Sequence, residues 1–164
     1  MLKVLTHSSN GTKRFAKVFA KKILARSFDF SSCLPASRAA SIIGLTGDLG
    51  SGKTTFIQGF LKGLGVKQRI TSPTFVIFKR YEIPACRQAR KDKNYKNVYH
   101  VDCYRLNKPE EILKLDFKEI IHNPQNIVLI EWAEKLKKIL PKKIDWINFE
   151  YGKKYNERKI TTKL

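Results

Sequence analysis

Eight consecutive residues, Gly47-Asp48-Leu49-Gly50-Ser51-Gly52-Lys53-Thr54, join three glycines to an ammonium and a hydroxyl in the spacing G-x-x-x-x-G-K-[ST]. Glycines permit backbone angles closed to other residues, so successive N–H groups can turn inward around an anion at a helix N-terminus. The loop from Asp48 to Thr54 is therefore expected to bind a nucleotide. Lys53 should reach the β- and γ-phosphates, and the Thr54 hydroxyl should sit on Mg²⁺.

Two carboxylates from later segments extend this chemistry. Glu131 ends the apolar run Ile127-Val128-Leu129-Ile130, which would place an acid at the C-terminal edge of a buried strand, where a Mg²⁺ beside the phosphates needs oxygen ligands. Asp102 ends His100-Val101-Asp102, with His100 and Asp102 on one face by strand alternation. Three roles are open to Asp102: a metal ligand through water, an orienter of the attacking water, or an ion-pair partner of Arg105. Thr71, Ser72 and Thr74 have the character of a switch segment that senses the γ-phosphate, or of ordinary turn chemistry. Trp132 reads as packing, and His7, His100 and His122 are too dispersed for a metal set.

The loop requires a strand before it and a helix after it. Ile42 to Thr46 is short, apolar and β-branched, and Thr54 to Leu64 spaces Phe56, Phe60, Leu61 and Leu64 helically before Gly63-Leu64-Gly65. Upstream, Ser8-Ser9-Asn10 offers caps for a helix over Thr12 to Arg26 with Phe15, Val18, Phe19, Ile23 and Leu24 on its apolar face. Phe28 to Ser41 reads as a loop. Downstream, the spacing predicts a strand over Thr74 to Tyr81, a basic hairpin tip over Pro84 to Asn97 and a strand over Asn97 to Cys103. It also predicts a helix over Leu106 to Ile121, a central parallel strand over Asn126 to Trp132, a helix over Ala133 to Leu140, and a terminal pair over Ile144 to Tyr151 and Arg158 to Thr162. This order implies one α/β domain over residues 1–164, with a largely parallel sheet, antiparallel edge strands and flanking helices, in the manner of a P-loop NTPase sandwich.

Composition narrows the setting. The sequence holds 33 Lys and Arg against 14 Asp and Glu, a formal charge of +19. Such a charge attracts polyanions, nucleic acid first. A general preference for lysine spread over the chain explains it equally well. Cys33, Cys86 and Cys103 fit neither a disulfide framework nor a zinc site. With no secretory signal and no membrane-length apolar run, the expected setting is soluble and cytoplasmic.

Four motifs, G-D-L-G-S-G-K-T-T (Gly47 to Thr55), T-S-P-T-F (Thr71 to Phe75), H-V-D-C-Y-R-L (His100 to Leu106) and I-E-W-A-E (Ile130 to Glu134), stand in the order and spacing of the TsaE (YjeE) family, which the chain resembles between Ile42 and Leu140. The resemblance implies a slowly hydrolysing ATPase required for threonylcarbamoyladenosine modification of tRNA. It would work with TsaD and TsaB, use ATP and Mg²⁺, and involve tRNA indirectly. Carried over to this sequence, it places Lys53 on the phosphates, Thr54 and Glu131 on the metal, and Asp102 as the acid essential to hydrolysis. Thr55 and, loosely, Thr12 join the nucleotide-binding set. The segments Phe28 to Ser41 and Pro84 to Asn97 depart from the family pattern by their length. Two other readings compete: a small P-loop kinase of a metabolite, for which Pro84 to Asn97 is the only candidate lid, and a basic nucleic-acid-binding protein.

Overall fold

The central strand β5 (Asn126–Glu131) is buried along its whole length, so it must be covered on both faces. In the computed structural model, which describes residues 1–26, 39–84 and 95–163, it lies within a seven-stranded sheet. The other strands are β1 (Leu2–Thr6), β2 (Ser41–Thr46), β3 (Phe78–Glu82), β4 (Asn97–Asp102), β6 (Asp145–Tyr151) and β7 (Arg158–Thr162). The order across the sheet is β1-β7-β6-β2-β5-β4-β3. The four inner strands β6, β2, β5 and β4 run parallel, while β3 and the β7–β1 pair add antiparallel edges. The largely parallel sheet with antiparallel edges and flanking helices is thus the expected architecture.

Alternation along β5 feeds two cores. Ile127 and Leu129 face the layer of α1 (Ser9–Arg26) and α2 (Lys53–Gly63), and Val128 and Ile130 face the layer of α3 (Glu110–Leu113) and α4 (Phe117–His122). The first core centres on Phe56, which meets Phe19 and Phe149 edge-on at centroid distances of 5.5 and 5.6 Å. Each such pair contributes about 0.5–1.5 kcal/mol beyond its buried area. Register does the rest: Asp102 pairs with Glu131 and His100 with Leu129, which gathers His100, Asp102 and Glu131 on the α2 side of the sheet.

Several local expectations are corrected. Strand β1 is an element that the sequence reading lacks; it depends on edge pairing with β7, from Leu2↔Thr162 to Thr6↔Arg158, which local propensity does not encode. Helix α1 starts at Ser9 rather than Thr12, and Val18 is 56% exposed rather than part of the apolar face. The strand over Thr74 to Tyr81 begins only at Phe78, because Val76 N–H closes a turn onto Pro73 O and Ile77 takes a positive φ of 64°. The helix over Leu106 to Ile121 is two short helices, interrupted at Asp116, whose φ is 54°. Ala133 to Leu140 holds a 3-10 turn over Ala133–Leu136 rather than an α-helix. The basic tip between β3 and β4, including Arg87, Arg90, Lys91 and Lys93, lies in residues 85–94, outside the described residues. So do Cys33, Cys86 and most of the Phe28 to Ser41 loop. Among the described residues no helix is long and apolar enough to cross a membrane.

Candidate functional site

The phosphate-loop residues connect β2 to α2 at the C-terminal edge of the parallel strands, where ligands bind in open α/β sheets. Two glycines are dictated by geometry. At Gly47, φ is 127° and an added Cβ would lie 2.2 Å from the Phe149 carbonyl oxygen; at Gly52, the N-cap of α2, φ is 104°. Both are conformations that L side chains rarely adopt. The C-terminal strands buttress the loop from outside: the Tyr151 hydroxyl donates to Leu49 O, Arg158 Nη2 donates to Gly50 O at 3.3 Å, and the Arg158 guanidinium stacks on the Tyr151 ring.

A cavity of about 360 Å³ opens against the loop. It is lined by Leu49, Gly50, Gly52, Lys53, Thr54 and Thr55 of the loop and α2, and by Ser72, Thr74, Asp102, Tyr104, Glu131 and Trp132 of later segments. The structure therefore brings together most of the residues singled out from the sequence, drawn from four separate segments. Asp48 and Ser51 belong to the loop without lining the cavity; Asp48 is exposed, and Ser51 is buried beneath it. Thr12 stands apart. It is 1% exposed, shares a 2.8 Å hydroxyl contact with Thr6 and donates to Ser8 O, so its visible role is to tie α1 to β1.

Within the cavity the side chains engage one another. Lys53 Nζ donates to Gly47 O at 2.6 Å and Asp48 O at 2.8 Å, and lies 4.0 Å from the centroid of a Trp132 ring. Burial lowers the Lys53 pKa from its ordinary value, against the pull of Glu131, Glu134, Asp102 and Asp48. The Thr54 hydroxyl lies 2.9 Å from each carboxylate oxygen of Glu131. Glu131 Oε1 also accepts from His100 Nε2 at 2.8 Å, and His100 is fully buried.

Asp102 accepts three hydrogen bonds. Its Oδ2 takes the Ser72 hydroxyl at 2.8 Å and the Thr74 hydroxyl at 2.6 Å, and its Oδ1 takes the Tyr104 N–H at 2.9 Å. The ion pair with Arg105 does not form; that guanidinium lies over the Phe75 ring instead, 4.3 Å from its centroid. Ser72 and Thr74 are hence fastened to the carboxylate, while Thr71 accepts from Lys79 farther out. Cys103, next in the chain, is a buried thiol whose pKa is pushed up to about 12, first by burial and then by the Asp102 charge, so it is inert.

Three contacts escaped the sequence reading. His100 holds Glu131, Trp132 lies under Lys53, and Tyr151 with Arg158 braces the loop. His100 alone had a usable signal, its two-residue offset from Asp102 on a strand beside Glu131; the others depend on tertiary approach. Chemically, the cavity offers an ammonium, a hydroxyl and two carboxylates beside the glycine-rich loop, a set suited to a polyphosphate with a hard divalent cation.

The family model described as "Threonylcarbamoyl adenosine biosynthesis protein TsaE" matches residues 6–160. A protein of Rickettsia typhi named tRNA threonylcarbamoyladenosine biosynthesis protein TsaE is 34% identical over 145 residues, 88% of this chain and 83% of the relative. The same-named protein of Haemophilus influenzae is 35% identical over 138 residues, 84% and 75% of the two chains. Among solved structures, YdiB of Bacillus subtilis superposes with a TM-score of 0.66 at 28% identity, over 98% of this chain and 83% of its own.

Proposed function

Because the chain belongs to the TsaE family of threonylcarbamoyl adenosine biosynthesis proteins, we propose that it binds ATP with Mg²⁺ and hydrolyses it slowly, in the service of tRNA modification with TsaD and TsaB. The observation that carries this reading is the clasp of the Thr54 hydroxyl on both Glu131 oxygens, in the cavity that Lys53 also lines. Hydroxyl and carboxylate are the hard oxygen donors that Mg²⁺ takes, so Thr54 and Glu131 would hold the metal. The metal would neutralise charge on the phosphate oxygens.

The chain's own residues supply the rest. The loop N–H groups wrap a phosphate, and Lys53 leaves its loop carbonyls to meet the β- and γ-oxygens. Phosphate charge reverses the depressed basicity that burial causes, so the ammonium is held where it is needed. Asp102 orients the attacking water. With Ser72 and Thr74 on Oδ2 and the Tyr104 N–H on Oδ1, the carboxylate's capacity to accept from a water is largely taken up, which fits slow turnover alone and stimulation when a partner shifts the 71–77 segment.

Calorimetric titration with Mg-ATP tests the site. Wild-type protein is expected to bind and Lys53→Ala to lose at least about 100-fold in affinity, on the order of 2.7 kcal/mol. Equal affinities would remove the loop from nucleotide binding. Pull-down of TsaD and TsaB with ATP present tests the partnership, and no retention of either protein would overturn it.

A further inference from the structure

We propose that the outer face of the α1–α2 layer binds the phosphodiester backbone of RNA. This face is built by close approach. An added Cβ on Gly59 would lie 2.5 Å from Lys13 O, and one on Gly63 would lie 2.9 Å from Lys17 Cα, so the two helices touch at their backbones and run in the same direction. Lys62 directly precedes the Gly63 that meets Lys17, and it is exposed. On α1, Arg14, Lys17 and Lys21 follow at i, i+3 and i+7 and project from one side, with Lys22 beside them. All of these side chains are exposed, as is Lys67 just beyond α2.

The charge on this layer is not neutralised locally. Neither α1 nor α2 contains an acidic residue, and between Met1 and Tyr81 the sequence has only two side-chain carboxylates, Asp29 and Asp48. None of the six basic residues forms an ion pair among the described residues, whereas elsewhere Arg80 reaches Glu82 at 3.1 Å and Lys159 reaches Glu150 at 3.0 Å. Stacking like charges at i and i+4 costs an isolated helix a few tenths of a kcal/mol per pair, about 0.2–0.5. A general preference for lysine does not account for the one-sided shortage of acids.

The partner's chemistry follows from what the face lacks. Phe19 and Ile23, the large apolar residues of α1, are turned into the core, leaving Val18 as the single large apolar side chain exposed on it. A membrane-surface helix needs an apolar face to insert, and this one has already buried its own against α2. A row of exposed cations from Arg14 to Lys22, about 12 Å along the helix axis and without aromatic or carboxylate groups to read bases, fits a polyphosphate backbone bound without sequence preference. None of these residues lines the P-loop cavity, so the RNA contacts and the nucleotide contacts fall on different side chains. The choice of RNA among polyanions rests on the tRNA-modification reading above.

The test is fluorescence polarisation of a labelled, unmodified tRNA transcript titrated with the full chain at several KCl concentrations. Two charge-matched variants are compared with wild type: Arg14→Gln/Lys17→Gln/Lys21→Gln/Lys62→Gln on the proposed face, and Lys137→Gln/Lys138→Gln/Lys142→Gln/Lys143→Gln elsewhere. The first set is expected to weaken binding at least 10-fold and to shrink the salt slope by about 0.7–0.9 for each phosphate that is no longer neutralised. The control set should stay within about 2-fold. Equal losses from both sets, or no tRNA binding by wild type, overturn the proposal. So does binding to phosphatidylglycerol vesicles that depends on the first set without tRNA binding. Should the quadruple variant not fold by circular dichroism, the pairs Arg14→Gln/Lys17→Gln and Lys21→Gln/Lys62→Gln take its place. Mg-ATP affinity measured on the same proteins separates the two readings, because its absence in wild type sinks the nucleotide site and leaves the tRNA result standing.

Discussion

His100 Nε2 donates to Glu131 Oε1 at 2.8 Å between two buried side chains, while His100 Nδ1 has no hydrogen-bond partner among the described residues. A ring with only its Nε2 engaged is held as a donor toward the carboxylate, which fixes how Glu131 faces Thr54. Outer partners of metal-binding carboxylates typically change affinity about 10–100-fold when removed. His100→Leu is therefore expected to raise the Mg²⁺ concentration needed for half-maximal ATP binding by about 10-fold or more, with metal-free nucleotide affinity nearly unchanged. Titrating nucleotide binding against Mg²⁺ checks this. Equal weakening with and without metal would mean that His100 only packs.

Asp102 accepts three hydrogen bonds and is 5% exposed, so it is poised by its neighbours rather than by solvent. Asp102→Asn keeps the shape and an acceptor oxygen but removes the charge. If Asp102 acts on the attacking water as proposed, turnover is expected to fall about 10²–10⁴-fold, the usual scale for a positioned acid–base group. Affinity for ATP should stay within a few-fold. Single-turnover hydrolysis beside equilibrium binding distinguishes these, and a large loss of binding would reassign Asp102 to ground-state contacts.

The strongest sequence signals were those with a local cause. The loop from Gly47 to Thr54, strand β2 and strand β5 were all legible, because glycine spacing and continuous apolar runs carry their own explanation. Asp102 and Glu131 were legible as strand-end acids, and register then placed them side by side. Elements that depend on distant partners were not legible. Strand β1 exists because β7 offers an edge, and α3 and α4 separate at Asp116 through a backbone reversal that the i, i+3, i+4 pattern does not reveal. Likewise, the pairing of Asp102 with Ser72 and Thr74 rather than with Arg105 follows from the turn at Pro73, which spacing alone leaves open.

The His7–Glu157 contact ties β1 to the β6–β7 turn. Glu157 is held below its ordinary pKa first by the Lys154 N–H and then by His7, against burial. A depressed carboxylate stabilises the fold above its unfolded pKa, and that contribution is lost as pH falls through the folded value. Wild-type protein should therefore lose thermal stability on acidification below about pH 4.5 more steeply than Glu157→Gln. Melting curves across this range check it, and parallel profiles for the two proteins would rule Glu157 out as a contributor.

Gly59 offers a case in which two effects oppose each other with known sizes. In a helix interior, alanine is favoured over glycine by about 1 kcal/mol. Here, however, the new Cβ would lie 2.5 Å from Lys13 O, 2.6 Å from Lys13 Cα and 2.9 Å from Ala16 Cβ. Two of these atoms are backbone and cannot swing away, so α1 and α2 have to separate, and overpacking of this kind costs about 1–3 kcal/mol. The core below resists, because Phe15, Phe19 and Phe56 pack across the same helix pair. Gly59→Ala is expected to lower the melting temperature by about 2–8 °C despite its better helix propensity. A melting temperature equal to or above wild type would show that the helices part without cost and that the backbone contact is not what holds the layer together.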